Sequence, residues 1–161
     1  MIKIYTSALA AVLFFASCNQ KSTKEFDVEK HRSHIIHLDS QYVHHIVSQN
    51  ADSISSLYHT NGILLSPGEA AVKGNTSIKS WYTNAFEFGL RKIHFSPSEL
   101  SGDEQNFIEI GQVEVGLQMG EADTLMYEQY KYMHVWTRLA SGEYKLSRDM
   151  WNADLIQIQG E

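Results

Sequence analysis

Cysteine and long apolar runs are both scarce in this sequence. Cys18 is the only cysteine in 161 residues, so the chain cannot form an internal disulfide. The longest apolar run, residues 8–16, is much shorter than the about 20 residues that a membrane-spanning helix needs. We therefore expect a domain that is held together by its hydrophobic core and does not span a membrane.

An excess of basic charge and several catalytic motifs are also missing. Residues 18–161 contain 12 basic and 19 acidic residues, which gives a net charge near −7. This acidic balance argues against a nucleic-acid partner. The chain contains no Gly-x-Ser-x-Gly elbow, phosphate-binding loop or dinucleotide fingerprint. If the protein is an enzyme, we expect acid–base chemistry without a cofactor.

The N-terminal residues predict export and lipid attachment. Residues 1–17 combine Lys3 with a short apolar stretch, which is typical of a signal peptide. The string Phe15-Ala16-Ser17-Cys18 resembles the bacterial lipoprotein box, which implies lipidation of Cys18 and a membrane partner through that lipid. The alternative is a free cysteine in an ordinary leader. The lipoprotein interpretation places the protein in the bacterial cell envelope, on the periplasmic side of the inner or outer membrane or on the cell surface.

The remaining residues predict a polar tether, residues 18–27, and one domain, residues 28–161. Apolar spacing indicates a helix over residues 28–47 with Ile35, Ile36, Leu38, Tyr42, Val43, Ile46 and Val47 on one arc. A second helix, capped by Asn50 or Asp52, runs through Tyr58. The turn 59–62 follows, then a strand from Ile63, a short strand over residues 70–72, and a third helix from Gly74-Asn75 to Gly89.

Four extended segments follow, over residues 90–100, 107–119, 126–139 and 144–158, separated by turns at 101–103, 120–123 and 140–142. Three hairpins in a row predict an antiparallel meander. Helices followed by such a sheet give an α+β domain, with three helices packed on one face of a curved antiparallel sheet.

The order of these elements and several strings resemble the SnoaL-like, ketosteroid-isomerase-like branch of the nuclear transport factor 2-like superfamily. The strings are Ser56-Leu57-Tyr58, Gly62-Ile63-Leu64-Leu65-Ser66-Pro67-Gly68, Lys73-Gly74, Ile78, Trp81-Tyr82, Phe107-Ile108-Glu109-Ile110-Gly111, Val135-Trp136 and Gly142-Glu143-Tyr144-Lys145-Leu146-Ser147-Arg148-Asp149-Met150-Trp151-Asn152. One departure is Tyr144, where relatives often carry Trp. The resemblance implies a cone open at one end, a pocket inside it, and a homodimer. The family includes isomerases, cyclases, dehydratases, carriers and assembly domains, so the fold does not determine the function.

Three carboxylates are the candidate catalytic residues. Asp39 lies within the apolar arc of the first helix, where an acid is costly unless it is paired or protonated; alternatively it lies at the edge of that arc or caps a backbone group. Strand alternation puts Glu109 on the same face as Phe107 and Val113. Asp149 lies where relatives place pocket residues, or forms a salt bridge at the rim with Arg148 or a neighbouring lysine.

Aromatic residues dominate the predicted lining of the pocket and favour a flat, apolar or aromatic ligand. His134 is either a pocket donor or base, or a hydrogen-bonded core histidine. The candidate ligand-binding residues are Tyr58, Trp81, Tyr82, Tyr132, His134, Trp136, Trp151 and Asn152, and Tyr130 is a further candidate for the lining.

The first helix also carries five histidines, namely His31, His34, His37, His44 and His45. Their spacing does not favour an i, i+4 zinc pair, so we expect a solvated face and no metal site. Three functions remain open. The first is a tethered pocket that binds a small apolar or aromatic molecule, the second a cofactor-free isomerase, lyase or hydrolase, and the third a dimerisation or assembly domain.

Overall fold

The computed structural model describes residues 27–120 and 124–153. Their elements are α1 (Val28–Val47), α2 (Ala51–Leu57), β1 (Tyr58–Leu65), β2 (Val72–Lys73), α3 (Asn75–Glu87), β3 (Leu90–Gly102), β4 (Asn106–Gln118), β5 (Leu125–Arg138) and β6 (Tyr144–Ala153). The predicted signal peptide, Cys18 and tether residues 18–26 lie outside the described residues. Residues 121–123 of a predicted turn and 154–158 of the predicted last strand do so as well.

Side-chain caps set the starts of the first two helices. The Asp27 carboxylate accepts the backbone N–H of Lys30 at 3.2 Å, and the Asn50 side chain accepts that of Ser53 at 2.9 Å. Asn50, and not Asp52, is therefore the cap of α2. At the end of α3, Gly89 adopts a φ of 109°, which a residue with a side chain rarely tolerates.

Two predicted boundaries near β1 are wrong. The strand begins at Tyr58, so residues 59–62 belong to it and do not form the predicted turn. The pairing with β6 shifts register between Tyr58 and Ile63, which explains why apolar alternation is lost over this stretch. The predicted short strand over residues 70–72 lies at Val72–Lys73 instead.

The six strands form one sheet in the order β2-β1-β6-β5-β4-β3. Each pair from β3 to β6 is antiparallel, which confirms the predicted meander. The prediction of a wholly antiparallel sheet misses one pair, because β1 runs parallel to β6. That pair joins the first and last strands of the domain, and turn signals between neighbours in sequence cannot reveal it.

The helices pack on one face of the curved sheet, in the predicted α+β arrangement. The buried stripe of α1 consists of Ile35, Leu38, Asp39, Tyr42 and Ile46. It is narrower than predicted, since Ile36 and Val47 are 48% and 57% exposed. Each follows a buried residue and so lies about 100° further round the helix. None of the helices within residues 27–120 and 124–153 is long and apolar enough to cross a membrane.

Candidate functional site

A cavity of about 370 Å³ opens between the helices and the inner face of the sheet. Its walls are largely aromatic and aliphatic, with Tyr42 and Ile46 contributed by α1 and Phe95, Val113 and Tyr132 by the strands. This size and lining are typical of a site for a small apolar molecule. Six predicted ligand-binding or lining residues do line it, namely Trp81, Tyr82, Tyr130, Tyr132, His134 and Trp151.

Three other predicted ligand-binding residues are not part of the lining. Tyr58 and Trp136 are 2% and 0% exposed and lie in the core beyond the cavity wall. Asn152 is exposed, because strand alternation turns it to the opposite side of β6 from Trp151. For these three positions, a direct contact with a ligand stays a prediction that the lining of this cavity does not support.

The three candidate carboxylates are all buried, yet only Asp149 lines the cavity. The burial of Asp39 excludes the alternative that it lies at an exposed edge of α1. Glu109 is 0% exposed on the predicted inner face of β4. Asp149 faces His134 and a group of tyrosines inside the cavity, as in the pocket alternative and not in the alternative of a rim salt bridge to Arg148 or a lysine.

A bulge in β6 gives Asp149 its inward direction. Leu146 pairs with Trp136 and Arg148 pairs with Val135, so Ser147 is an extra residue without a partner opposite. The Ser147 hydroxyl donates to the carbonyl of Val135 at 2.9 Å, which holds the bulge in place. Because of the extra residue, Leu146 and Asp149 both point inward although they are three positions apart.

His134 lies at the centre of the buried polar groups. Its Nε2 is 3.4 Å from Asp149 Oδ1, and its Nδ1 is 3.5 Å from Glu109 Oε2 and 4.0 Å from Asp39 Oδ1. Burial by itself lowers the pKa of the imidazole, but the negative charges of Asp149 and Glu109 outweigh it and raise that pKa to about 10. We conclude that His134 is an imidazolium at neutral pH, held between carboxylates.

Asp149 also accepts hydrogen bonds from tyrosine hydroxyls. Tyr42 donates to Oδ2 at 3.2 Å, and Tyr58 donates to the same oxygen. The Tyr82 hydroxyl completes the group through contacts with the hydroxyls of Tyr42 and Tyr58. Burial, followed by the charge of Asp149, raises the pKa of all three phenols. They therefore stay neutral and can act as hydrogen-bond donors.

Glu109 and Asp39 form a second layer behind His134. Glu109 accepts from Tyr132 through Oε1 and from Trp136 Nε1 through Oε2 at 3.0 Å. Burial acts to raise the pKa of Glu109, but His134, Asp39 and Tyr132 together lower it to about 2. Burial and the charge of Glu109 raise the pKa of Asp39 to about 8. Asp39 is thus mainly protonated at neutral pH, and Glu109 is ionised.

The same trio has a spacing that a metal ion could use. Within the described residues, one ligand atom each from Asp39, Glu109 and His134 lies within 4.8 Å of the others. We interpret Asp39, Glu109 and His134 as a group that shares protons and does not hold a metal. The reason is that both oxygens of Glu109 already accept hydrogen bonds, from Tyr132 and from Trp136. None of the helix-one histidines lines the cavity; His34, His37 and His44 are exposed, and His31 and His45 are half-buried.

Two glutamates that the sequence analysis missed lie at the mouth of the cavity. Glu69 and Glu128 are exposed and also belong to the lining. Glu69 accepts from Trp81 Nε1 at 2.8 Å and from the hydroxyl of Ser66, and Glu128 accepts from Tyr130. Glu69 follows a turn without periodicity, so no sequence pattern indicated it. Tyr42 was predicted only as core, although it lies one helical turn after Asp39.

The geometry can support proton transfer at the inner end of an apolar cavity. A carboxylate and an imidazolium lie side by side there, 3.4 Å apart, and tyrosine hydroxyls are within hydrogen-bond distance of the carboxylate. A carboxylate can accept a proton from a bound molecule, while a tyrosine or the imidazolium stabilises negative charge that develops on oxygen.

Comparison with solved structures identifies the fold. A ketosteroid isomerase-like protein from Erwinia carotovora atroseptica has a TM-score of 0.67 at 15% identity, over 76% of this chain and 95% of that one. A nuclear transport factor 2-like superfamily protein from Salmonella enterica has a TM-score of 0.68 at 9% identity, over 84% and 99%. A third, an NTF2-like protein with a cystatin-like fold from Novosphingobium aromaticivorans, has a TM-score of 0.67 at 18% identity, over 80% and 84%.

By sequence, no protein-family model matches the chain, and no curated protein matches it. The structural likeness is extensive at identities below 25%, so it establishes the fold and leaves the activity open. The chain therefore has the nuclear transport factor 2-like, ketosteroid-isomerase-like fold, as its sequence predicted.

Proposed function

We propose that the protein binds a small apolar or aromatic molecule in its cavity and acts on it as a cofactor-free acid–base enzyme, an isomerase or a lyase. The observation that carries this proposal is the Asp149–His134 pair at the inner end of a mainly apolar cavity. Burying ionised groups against apolar walls is costly, and a domain that only carried a ligand would have no need of them there.

In this proposal Asp149 is the base. Its carboxylate removes a proton from a substrate carbon next to an electron-withdrawing group, and a hydroxyl of Tyr42 or Tyr82 donates to the oxygen that gains the electron pair. An isomerase then returns the proton to another carbon, whereas a lyase expels a leaving group. His134 lies beside Asp149, with its Nε2 3.4 Å from Asp149 Oδ1.

Native mass spectrometry of the purified chain, followed by chromatography of released small molecules, tests the proposal. We expect a co-purified compound or its product, and we expect wild type to convert that compound. Asp149→Asn should still bind it without converting it, since the amide keeps the shape of the carboxylate and loses its basicity. Binding without conversion by wild type would indicate a carrier, the first of the three functions that the sequence leaves open. An empty cavity would contradict both functions.

We also propose that the domain is tethered to a bacterial envelope membrane through lipid on Cys18. The support is the lipoprotein-like string that ends at that residue. Labelling cells with an alkyne fatty acid tests it, with Cys18→Ser as the matched variant. Label on wild type that is lost in Cys18→Ser is the expected result, and equal labelling of both proteins would contradict the tether.

A homodimer is our third proposal, and the outer face of the sheet supports it. Leu65, Met150, Met133 and Ile110 pair across four adjacent strands and form an apolar row on the face opposite to the helices. Met150 is 40% exposed. We expect sedimentation velocity to show a dimer that Met150→Lys converts to a monomer, while Thr76→Lys on an exposed position of α3 does not. A monomeric wild type would contradict the proposal.

A further inference from the structure

The residues that line the cavity carry more negative than positive charge. Glu69, Glu128 and Asp149 are carboxylates, and His134 is the only cationic group among the described residues that form the lining. No lysine or arginine between residues 27 and 120 or 124 and 153 belongs to the lining. His134 is already surrounded by Asp149, Glu109 and Asp39 at 3.4 to 4.0 Å. An anionic ligand would therefore meet excess negative charge and no free cation in this cavity.

Arg91, one of four lysine or arginine residues that adjoin the lining in sequence, does not compensate this charge. Arg91 follows the lining residue Leu90, but it is not itself part of the lining. Its guanidinium donates to Gln118 Oε1 at 2.9 Å and to the carbonyl of Phe86 at 2.7 Å. These contacts hold the guanidinium at the end of α3, where it donates to a carbonyl that also accepts the backbone N–H of Gly89 at 3.1 Å.

The negative charge at the mouth is held in a defined position. Glu69 accepts from Trp81 Nε1 and from Ser66, and hydrogen bonding to Ser66 and Trp81 lowers the pKa of its carboxyl. The Glu69 carboxylate therefore stays ionised next to the indole of Trp81, which lines the cavity. Glu128 is also exposed and also lines the cavity, so two carboxylates flank the entrance.

Aromatic rings lie next to these carboxylates. The rings of Trp81 and Trp151 are 5.5 Å apart in an edge-to-face arrangement, and both residues are half-buried. Tyr130 contributes a further half-buried ring and donates to Glu128. Aromatic faces beside carboxylates attract a cation through both the ring quadrupole and direct charge.

We infer that the occupant of the cavity is a cationic amphiphile, with an apolar body against the aromatic walls and a protonated amine near Glu69 and Glu128 at the mouth. The inference rests on the proposed binding function and specifies its ligand class. The amine end would remain partly solvated at the mouth, and the reacting end would lie next to Asp149.

Three naphthalene probes of matched shape test this inference: 2-naphthylmethylamine, 2-naphthylmethanol and 2-naphthoate. Their affinities for the full-length chain are measured by isothermal titration calorimetry at neutral pH. We expect the amine to bind most tightly and the carboxylate most weakly. Glu69→Gln and Glu128→Gln should each weaken amine binding about two- to fivefold, as expected for exposed ion pairs, and should leave the alcohol unchanged. Glu104→Gln, an exposed acid outside the lining, is the control.

The outcomes separate the two proposals. A preference for the amine that falls in both variants and at high salt supports the inference. Equal binding of amine and alcohol, unaffected by either substitution, would overturn the inference and leave the apolar pocket in place. Tighter binding of the carboxylate would overturn it as well. No binding of any probe would contradict both the ligand class and the pocket function on which it rests.

Discussion

Alkaline pH should destabilise this protein strongly, because folding raises the pKa of His134. The ordinary value of 6.5 rises to about 10 in the folded state. The folded protein then binds a proton that the unfolded chain has released, at every pH between these two values. The stabilisation from His134 is fully present below pH 6.5 and is lost as the pH rises through 10.

The expected loss is large for a domain of this size. Each pH unit between 6.5 and about 10 corresponds to about 1.4 kcal/mol, which gives a total on the order of 5 kcal/mol. Domains are typically stable by about 5–15 kcal/mol, so a substantial fraction of the stability depends on this proton. Folding also raises the pKa of Asp39, from 3.8 to about 8. This group therefore adds a further loss of stability as the pH rises from 3.8 to about 8.

Urea unfolding at half-unit steps from pH 6 to pH 10 measures this loss. The series stops at pH 10, the ordinary pKa of tyrosine, because at higher pH most unfolded tyrosines are ionised and the buried phenols dominate the loss of stability. His134→Gln should flatten the profile between pH 8 and 10, whereas His94→Gln at an exposed position should leave it unchanged. A wild-type free energy of unfolding that stays constant from pH 6.5 to 10 would refute the imidazolium assignment.

Three further predictions concern the stability of single positions, each measured by urea unfolding against wild type. Gly111→Ala should cost about 1–3 kcal/mol, because its Cβ would meet the Ser96 carbonyl oxygen at 2.4 Å; an unchanged midpoint would contradict the close approach. Tyr132→Phe should cost about 1.5–3 kcal/mol, since Glu109 loses a buried donor, and no cost would mean that this bond is not formed. Asn50→Ala should cost about 1 kcal/mol through loss of the α2 cap, and a neutral result would contradict that cap.

Elements with local signals were predictable from the sequence. The first helix, residues 28–47, matches the structure at both ends because its apolar spacing is a local feature. The meander was predictable for the same reason, since each turn lies between the two strands that it joins. The parallel β1–β6 pair was not, because it joins segments about 85 residues apart, and no local pattern encodes such a pairing.

Local sequence patterns also do not determine the direction of every side chain in the site. Simple alternation from Leu146 puts Asp149 on the outer face, and only the Ser147 bulge reverses this. Family resemblance, and not periodicity, identified Asp149 as a candidate. Glu109 lies on an unbroken strand, so alternation alone predicted its burial correctly. The hydrogen bonds of Asp149 to Tyr42 and Tyr58 depend on three separate elements meeting, which a single sequence does not reveal.

Proton exchange on a bound compound tests the central claim most directly. The compound released from the purified protein would be incubated in D₂O with wild type and with Asp149→Asn, and its mass followed over time. We predict that wild type introduces deuterium at one carbon position or converts the compound, and that Asp149→Asn binds it without exchange. A compound that wild type binds tightly, and that keeps every hydrogen as long as it does in buffer alone, would contradict acid–base catalysis in this cavity.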